Sequence, residues 1–151
     1  MSQSMQLGIA ATVFAAIVVA LVLYVRRSDK AFVSALEQHG FKERTSCPWT
    51  VTVGGSPLHV MKCYEGRLSS KVMGDVIRGY VHGLTAKGTY TWYLGVVVPA
   101  SVGVDDAWRA RFPRQDVVRT PDGDTVVLWQ TMDTARSAAL IFEALAGTFH
   151  P

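Results

Sequence analysis

The hydrophobic pattern divides the chain into a uniformly apolar N-terminal segment and a longer remainder in which apolar and polar positions alternate. Residues 5–25 carry no charge and no Pro, and only Gln6 and Thr12 interrupt their apolar character. A helix of this length extends about 31 Å, which matches the hydrocarbon thickness of a bilayer. The pattern therefore predicts a transmembrane helix.

A cleavable signal peptide is the alternative interpretation of this segment. Such a peptide has a basic start, a shorter apolar core and a small-residue cleavage site. Residues 1–6 are uncharged, and bulky side chains lead directly into Arg26 and Arg27. We therefore expect an uncleaved anchor over residues 1–27, followed by a soluble domain over residues 28–151.

The remainder begins with a helical pattern and continues with alternating segments that are typical of strands. Ser28 is suited to cap a short helix that ends at Gly40, although the anchor helix could also continue into it without a break. Strands are expected over 50–55 and 58–66, joined as a hairpin by residues 54–57.

The clearest strand pair covers residues 75–84 and 89–99, with a turn at 85–88. Alternation places one row of large apolar residues on a single face of the second strand, and this row is expected to form the core: Tyr90, Trp92, Leu94, Val96 and Val98.

The C-terminal third predicts a short helix, a hairpin and a final helix. Asp105 can cap a helix over 105–112, and strands 116–120 and 124–130 flank a turn at Pro121-Asp122-Gly123. Thr131 can start the last helix, whose apolar stripe comprises Met132, Ala135, Ala139, Phe142, Leu145 and Phe149. The soluble part therefore has the order α-ββββ-α-ββ-α, an α+β fold with helices packed on an antiparallel sheet.

Charge is distributed unevenly, and this bears on partners and orientation. The chain has 15 basic and 12 acidic residues, a formal charge of +3, but residues 31–151 have 12 and 11. Such balance argues against nucleic-acid binding. Arg26, Arg27 and Lys30 follow the anchor and no basic side chain precedes it, so the positive-inside rule predicts an external N-terminus and a cytoplasmic domain.

The membrane is expected to be the plasma membrane of a bacterium. The chain contains no Asn, and its ten Arg outnumber its five Lys, which together indicate a GC-rich genome. Small residues also recur along the anchor at spacings that allow close helix packing: Gly8, Ala11, Ala15, Ala16 and Ala20. They predict contact with other membrane subunits or self-association, with simple anchoring as the alternative.

No motif in the sequence predicts a cofactor, a metal ion or a catalytic group. His59 and Cys63 have a spacing that would chelate a metal on a helix, but they lie on a predicted strand, where the spacing separates them by about 13 Å. Cys47 and Cys63 could form a disulfide in an oxidising compartment. With a cytoplasmic domain, both are expected to be free thiols.

One candidate interaction surface stands out on the central strands. Arg78, Tyr80 and His82 share a face, and Tyr93 on the next strand points away from the Trp92 row. If those faces align, the four side chains form an amphipathic aromatic patch of the kind enriched at interfaces. Ordinary packing beneath a helix is the alternative.

These features predict a single-pass membrane protein that acts as an accessory or interaction subunit. Its cytoplasmic α+β domain is expected to bind other protein subunits of a membrane complex. The alternative is a membrane-tethered enzyme or small-ligand-binding domain with a site on the sheet that uses His59, His82 or Cys63.

Overall fold

The computed structural model describes residues 2–68, 72–83, 89–102 and 115–130. Within these ranges the chain forms one long apolar helix and an antiparallel sheet, an α+β arrangement. The helix is α1 (Gln3–Gln38), and the eight strands are β1 (Lys42–Glu43), β2 (Thr52–Val53), β3 (Ser56–Pro57), β4 (His59–Arg67), β5 (Met73–His82), β6 (Tyr90–Val98), β7 (Gln115–Arg119) and β8 (Thr125–Gln130).

Helix α1 runs without a break from the apolar segment into the domain. Neither Gly nor Pro occurs between Ile9 and His39, so nothing in the sequence interrupts the backbone hydrogen bonds there. The prediction that Ser28 caps a separate helix is therefore wrong, because Ser28 lies in the middle of α1. The helix is long and apolar enough to cross a membrane.

The end of α1 lies where the sequence predicts it. Gly40 has a φ of 82°, and its N–H donates to the Glu37 carbonyl while the Phe41 N–H donates to Leu36. This paired pattern is a Schellman motif, in which glycine supplies the left-handed residue. The motif also turns Phe41 back, so that it is buried in the same cluster as Leu36.

Six strands form the main sheet in the order β1-β4-β5-β6-β8-β7, with every neighbouring pair antiparallel. The pairing of β5 with β6, from Asp75 opposite Val97 to His82 opposite Tyr90, confirms the clearest sequence prediction. The pairing of β7 with β8 confirms the last hairpin. Gly123 in its turn has a φ of 90°, and its N–H donates to the Thr120 carbonyl.

The hairpin predicted at residues 54–57 differs from the structure. The turn is Gly54-Gly55, both with positive φ, and it joins β2 to β3 in a separate two-stranded sheet. Strand β4 pairs instead with β1 and β5 in the main sheet. Two consecutive glycines form the tight turn that this geometry requires, so the hairpin closes two residues earlier than predicted.

The main sheet buries apolar side chains on both faces. We call the face against α1 the helix face. There Phe32 and Leu36 pack with Tyr64 and Val76, and with apolar residues of β6 and β8. The opposite face, which we call the hairpin face, buries Val51, Val53 and Leu58 from the β2–β3 region against Ile77 and its neighbours. The predicted helices at 105–112 and 131–149, and the predicted turn at 85–88, lie outside the described residues.

Candidate functional site

The described domain exposes a group of aromatic side chains on the helix face, near the C-terminal end of β5. There Tyr80 is the central ring, with ring centroids of His59, Tyr90 and Trp92 at 5.1, 5.1 and 5.4 Å. His82 lies 5.0 Å from Tyr90. We call these five residues the aromatic cluster. The His59–Tyr80 pair is stacked, the Tyr80–Tyr90 pair is edge to face, and the other two pairs are tilted. Edge-to-face contact is one of the two arrangements that aromatic pairs prefer.

The register of three strands brings these rings together. Tyr80 lies opposite His59 on one side and Trp92 on the other, and His82 lies opposite Tyr90. Gly79 permits the close approach of β4, because a Cβ at that position would meet the His59 carbonyl. Strand β4 has a register irregularity between Val60 and Lys62, which changes the alternation of its side chains. His59 therefore lies on the helix face with Tyr80, although Cys63, four residues later, lies on the hairpin face.

The aromatic cluster is exposed although its strands are central in the sheet. Tyr90 and Trp92 retain 60% and 46% of their accessible surface. Their row continues into Leu94, Val96 and Val98, which are buried. The prediction that Tyr90 and Trp92 belong to the core is therefore wrong, because α1 covers only the other end of that row.

The predicted patch is only partly assembled by the structure. Arg78, Tyr80 and His82 share the helix face, as the alternation indicates. Tyr93 does not join them, because it lies opposite Gly79 and points to the hairpin face, where only 3% of it is exposed. Gln130 Nε2 donates to the Tyr93 hydroxyl at 3.4 Å. Tyr93 is therefore a core residue.

Arg78 connects the sheet to α1 instead of extending the exposed surface. Its guanidinium lies 3.2 Å from the Asp29 carboxylate and 5.0 Å from the centre of the Phe32 ring. A cation over an aromatic ring and an ion pair both hold the same two elements together. Sequence reasoning missed Asp29 as the partner and His59, Tyr90 and Trp92 as members of the exposed surface.

The residues predicted to act in the membrane all lie on α1. The small residues Gly8, Ala11, Ala15, Ala16 and Ala20 are exposed, as are Arg26, Arg27 and Lys30. A Cβ at Gly8 would meet nothing within 4 Å. These positions therefore present an open surface, on which a neighbouring helix could pack.

A charged cleft lies at the opposite end of the sheet from the aromatic cluster. Arg44 Nε donates to the Asp75 carboxylate at 2.7 Å, and the same guanidinium lies 3.4 Å from Glu65 and over the Trp49 ring. These residues line a cavity of about 290 Å³. Burial raises the pKa of Asp75 above its usual value even though the ion pair with Arg44 lowers it.

The two cysteines form a disulfide between Cys47 and Cys63, so the expectation of free thiols is wrong. The Arg44 N–H donates to the Cys63 carbonyl, which brings the segment after β1 across the hairpin face to Cys63. Cys63 lies opposite Ile77 and His59 opposite Tyr80, so the two side chains are on different faces. The described residues contain no group of His, Cys, Asp and Glu that could hold a metal ion.

Comparison with known proteins gives no relative to assist these assignments. No protein-family model, no curated protein and no solved structure matches this chain.

Proposed function

We propose that this protein is a single-pass membrane-anchored accessory subunit whose α+β domain binds other protein subunits of a membrane complex. The observation that carries the proposal is the continuity of α1. The same helix presents exposed apolar side chains between Met5 and Val25 and buries Phe32 and Leu36 in the domain. A partner that binds the helix in the bilayer is thereby joined directly to the sheet.

The surface proposed for binding within the membrane is the row formed by Gly8, Ala11 and Ala15, while Ala16 and Ala20 form a second row on another side of the helix. Ala11 and Ala15 lie one turn apart, as do Ala16 and Ala20, and Gly8 leaves its surroundings open. Small side chains allow two helix backbones to approach closely, which strengthens dispersion contacts where the hydrophobic effect contributes little. The partner is another membrane subunit or a second copy of this chain.

The tethered small-ligand-binding alternative is favoured by one observation, the charged cleft. Its buried carboxylate, guanidinium and Trp49 ring converge on one cavity, which is a common arrangement for a polar ligand. The residues first considered for such a site do not converge, because Cys63 is bonded to Cys47 and lies on the other face from His59. Binding through α1 remains the proposal with the more direct support.

For the location we propose the plasma membrane of a bacterium, with the N-terminus outside and the domain in the cytoplasm. Three basic residues after the anchor and none before it support this orientation. The disulfide argues for the opposite side, because such bonds persist in oxidising compartments. The basic residues and the disulfide therefore make opposite predictions about the compartment of the domain.

A reporter fused after Pro151 tests the orientation. A reporter that is active only in the cytoplasm should give signal, and replacement of Arg26, Arg27 and Lys30 by Ser should produce mixed orientations. Activity of a reporter that works only outside the cytoplasm would overturn the proposed orientation and would place the disulfide in an oxidising environment.

The accessory function is tested by purifying the full-length chain in mild detergent. Membrane subunits should co-purify with the wild type and be lost from Ala15→Leu, because the larger side chain blocks close approach. Ala10→Leu is the matched control, since position 10 lies about 140° around the helix from position 15. Equal retention of partners by Ala15→Leu and wild type, or a chain that purifies alone as a monomer, would contradict the proposal.

A further inference from the structure

The course of α1 over the sheet shows which end of the domain faces the bilayer. Phe41, just after the helix, lies against Gly66, and Phe32 lies 6.0 Å from Tyr64. Further towards the membrane segment, Asp29 contacts Arg78. Each step towards the N-terminus of α1 is thus a step along the sheet towards the aromatic cluster, which lies beyond Arg78.

The distances place the aromatic cluster at the level of the membrane surface. From Asp29 to Val25, the last apolar residue of the anchor, the helix rises about 6 Å. From Arg78 to His82 the strand extends about 13 Å in the same direction, or about 10 Å along the helix axis if the two cross at 40°. The end of β5 therefore reaches the level of Val25.

The side chains at this end have the chemistry of a membrane interface. Tyr and Trp are enriched there because an apolar ring and a polar atom suit the boundary between acyl chains and headgroups. Exposed Tyr90 and Trp92 have this character, and exposed Tyr24 lies on α1 at the same level. His59 and His82, together with Arg26 and Arg27, supply groups that can bind lipid phosphates.

We propose that the aromatic cluster contacts the phospholipid headgroup region of the bilayer that α1 spans. Trp92 and Tyr90 lie at the headgroup boundary, and His59 and His82 face the phosphates. The domain is then held at the membrane by two contacts, the helix and the aromatic cluster. The inference rests on the part of the proposed function in which α1 crosses a bilayer, but it requires no protein partner.

Position as well as chemistry favours lipid as the molecule that contacts the aromatic cluster. α1 carries the aromatic cluster to the surface of its own bilayer whenever the helix is inserted, so lipid is present without a separate association step. A protein partner at this place would have to displace lipid first. Phe32 and the Arg78–Asp29 ion pair hold the sheet in one position on α1. The same residues therefore meet the lipid whenever the helix is inserted.

Quenching of tryptophan fluorescence by brominated lipids tests this inference. The purified full-length chain is reconstituted in vesicles of phosphatidylcholine and phosphatidylglycerol, with bromine placed either near the headgroups or deep in the acyl chains. With Trp108 replaced by Phe in every variant, and with Trp129 only 8% exposed, shallow bromine should quench more strongly than deep bromine, and Trp92→Phe should remove most of that quenching. Trp49→Phe, in the charged cleft at the far end of the sheet, is the matched control and should retain it.

The outcomes separate this inference from the anchor itself. Flotation of the vesicles first establishes insertion of α1. If the chain floats and Trp92→Phe retains the shallow quenching, or if Trp49→Phe removes it, the lipid contact is wrong and the surface is left to a protein partner. If the chain does not float with the vesicles, the anchor and this inference both fail. Loss of partners by Ala15→Leu is independent of the quenching results.

Discussion

Both faces of the main sheet bury apolar side chains, but different parts of the described chain cover them. One end of the helix face is covered by α1, through Phe32, Leu36 and the Phe41 ring that follows. The hairpin face is closed by a segment with little regular structure, from Cys47 to Leu58, which contains only the two short strands β2 and β3. One cover continues into the apolar segment of α1, and the other is attached by a disulfide.

The difference teaches how each cover is stabilised. A helix of 36 residues satisfies its own backbone hydrogen bonds and needs only a few large side chains to attach it to the sheet. The hairpin segment contains only two strands of two residues each, and its course is fixed by the Cys47–Cys63 disulfide and by the hydrogen bond that the Leu58 N–H donates to the Val51 carbonyl. We therefore expect that the attachment of α1 depends most on packing, and that the attachment of the hairpin segment depends most on the Cys47–Cys63 bond.

Truncation of Phe32, a large α1 side chain buried against the helix face, should have the largest effect on the free energy of unfolding. Phe32→Ala removes a ring that is 1% exposed, and such a change costs about 3–5 kcal/mol in unfolding free energy. Denaturant unfolding of the full-length chain in mild detergent measures it. Phe14→Ala makes the same substitution in the exposed part of α1 and should leave the domain's stability unchanged. Equal stability of Phe32→Ala and wild type would show that α1 does not close this face.

Removing the disulfide should have the next largest effect, on the hairpin face. The bond spans 16 positions, and closing a loop of this size contributes about 3 kcal/mol. Reductant should lower the unfolding midpoint of the wild type. In the double variant Cys47→Ser with Cys63→Ser, reductant should have no further effect. An unchanged wild-type midpoint under reductant would mean that packing alone holds the hairpin segment.

The β7–β8 turn belongs to neither cover and gives a smaller, local effect. Gly123 has a φ of 90°, where a β-branched residue is strained, so Gly123→Val should cost about 1–2 kcal/mol. Gly123→Asn should lose less, because Asn tolerates the left-handed region. Thermal unfolding compares the two variants. If both are as stable as wild type, the turn does not require its positive φ.

The smallest effect concerns Asp75 and appears only as a dependence on pH. Burial raises the pKa of this carboxyl above its ordinary value of 3.8, so the folded state holds the proton more tightly than the unfolded state. The contribution of Asp75 to unfolding free energy is therefore greatest below that value and declines as the pH rises through the raised folded pKa.

Unfolding of two variants across that pH range tests the Asp75 effect. Asp75→Asn should remove the decline, because the amide does not titrate. Arg44→Gln should extend it to higher pH, since the Arg44 guanidinium lowers the pKa of Asp75. A wild-type stability that increases with pH through this range would contradict the assignment.

The sequence predicts the elements whose determinants are local. Gly40 ends α1, Pro121-Asp122-Gly123 turns β7 into β8, and alternation identifies β5 and β6, because each depends on residues close together in the chain. The two-residue strand β1 is too short to have a period, and its place is fixed only by pairing with β4. The Cys47–Cys63 bond likewise depends on how a later strand is placed.

The candidate surface was predictable in part for the same reason. Alternation along β5 correctly groups Arg78, Tyr80 and His82 on one face. It does not give the register between β5 and β6, which places Trp92 beside Tyr80 and sends Tyr93 to the opposite face. It also does not show where α1 stops covering the sheet, and this boundary separates exposed Trp92 from buried Leu94.

The absence of a break in α1 has a mechanical consequence. Because the helix passes from the apolar segment into the domain without Gly or Pro, it acts as a lever with no joint at the membrane surface. Membrane helices commonly tilt by about 20°, and that tilt would swing a point 25 Å from the pivot through roughly 9 Å. Bilayer thickness, which contributes to the tilt through hydrophobic mismatch, would thereby change the direction in which the charged cleft points.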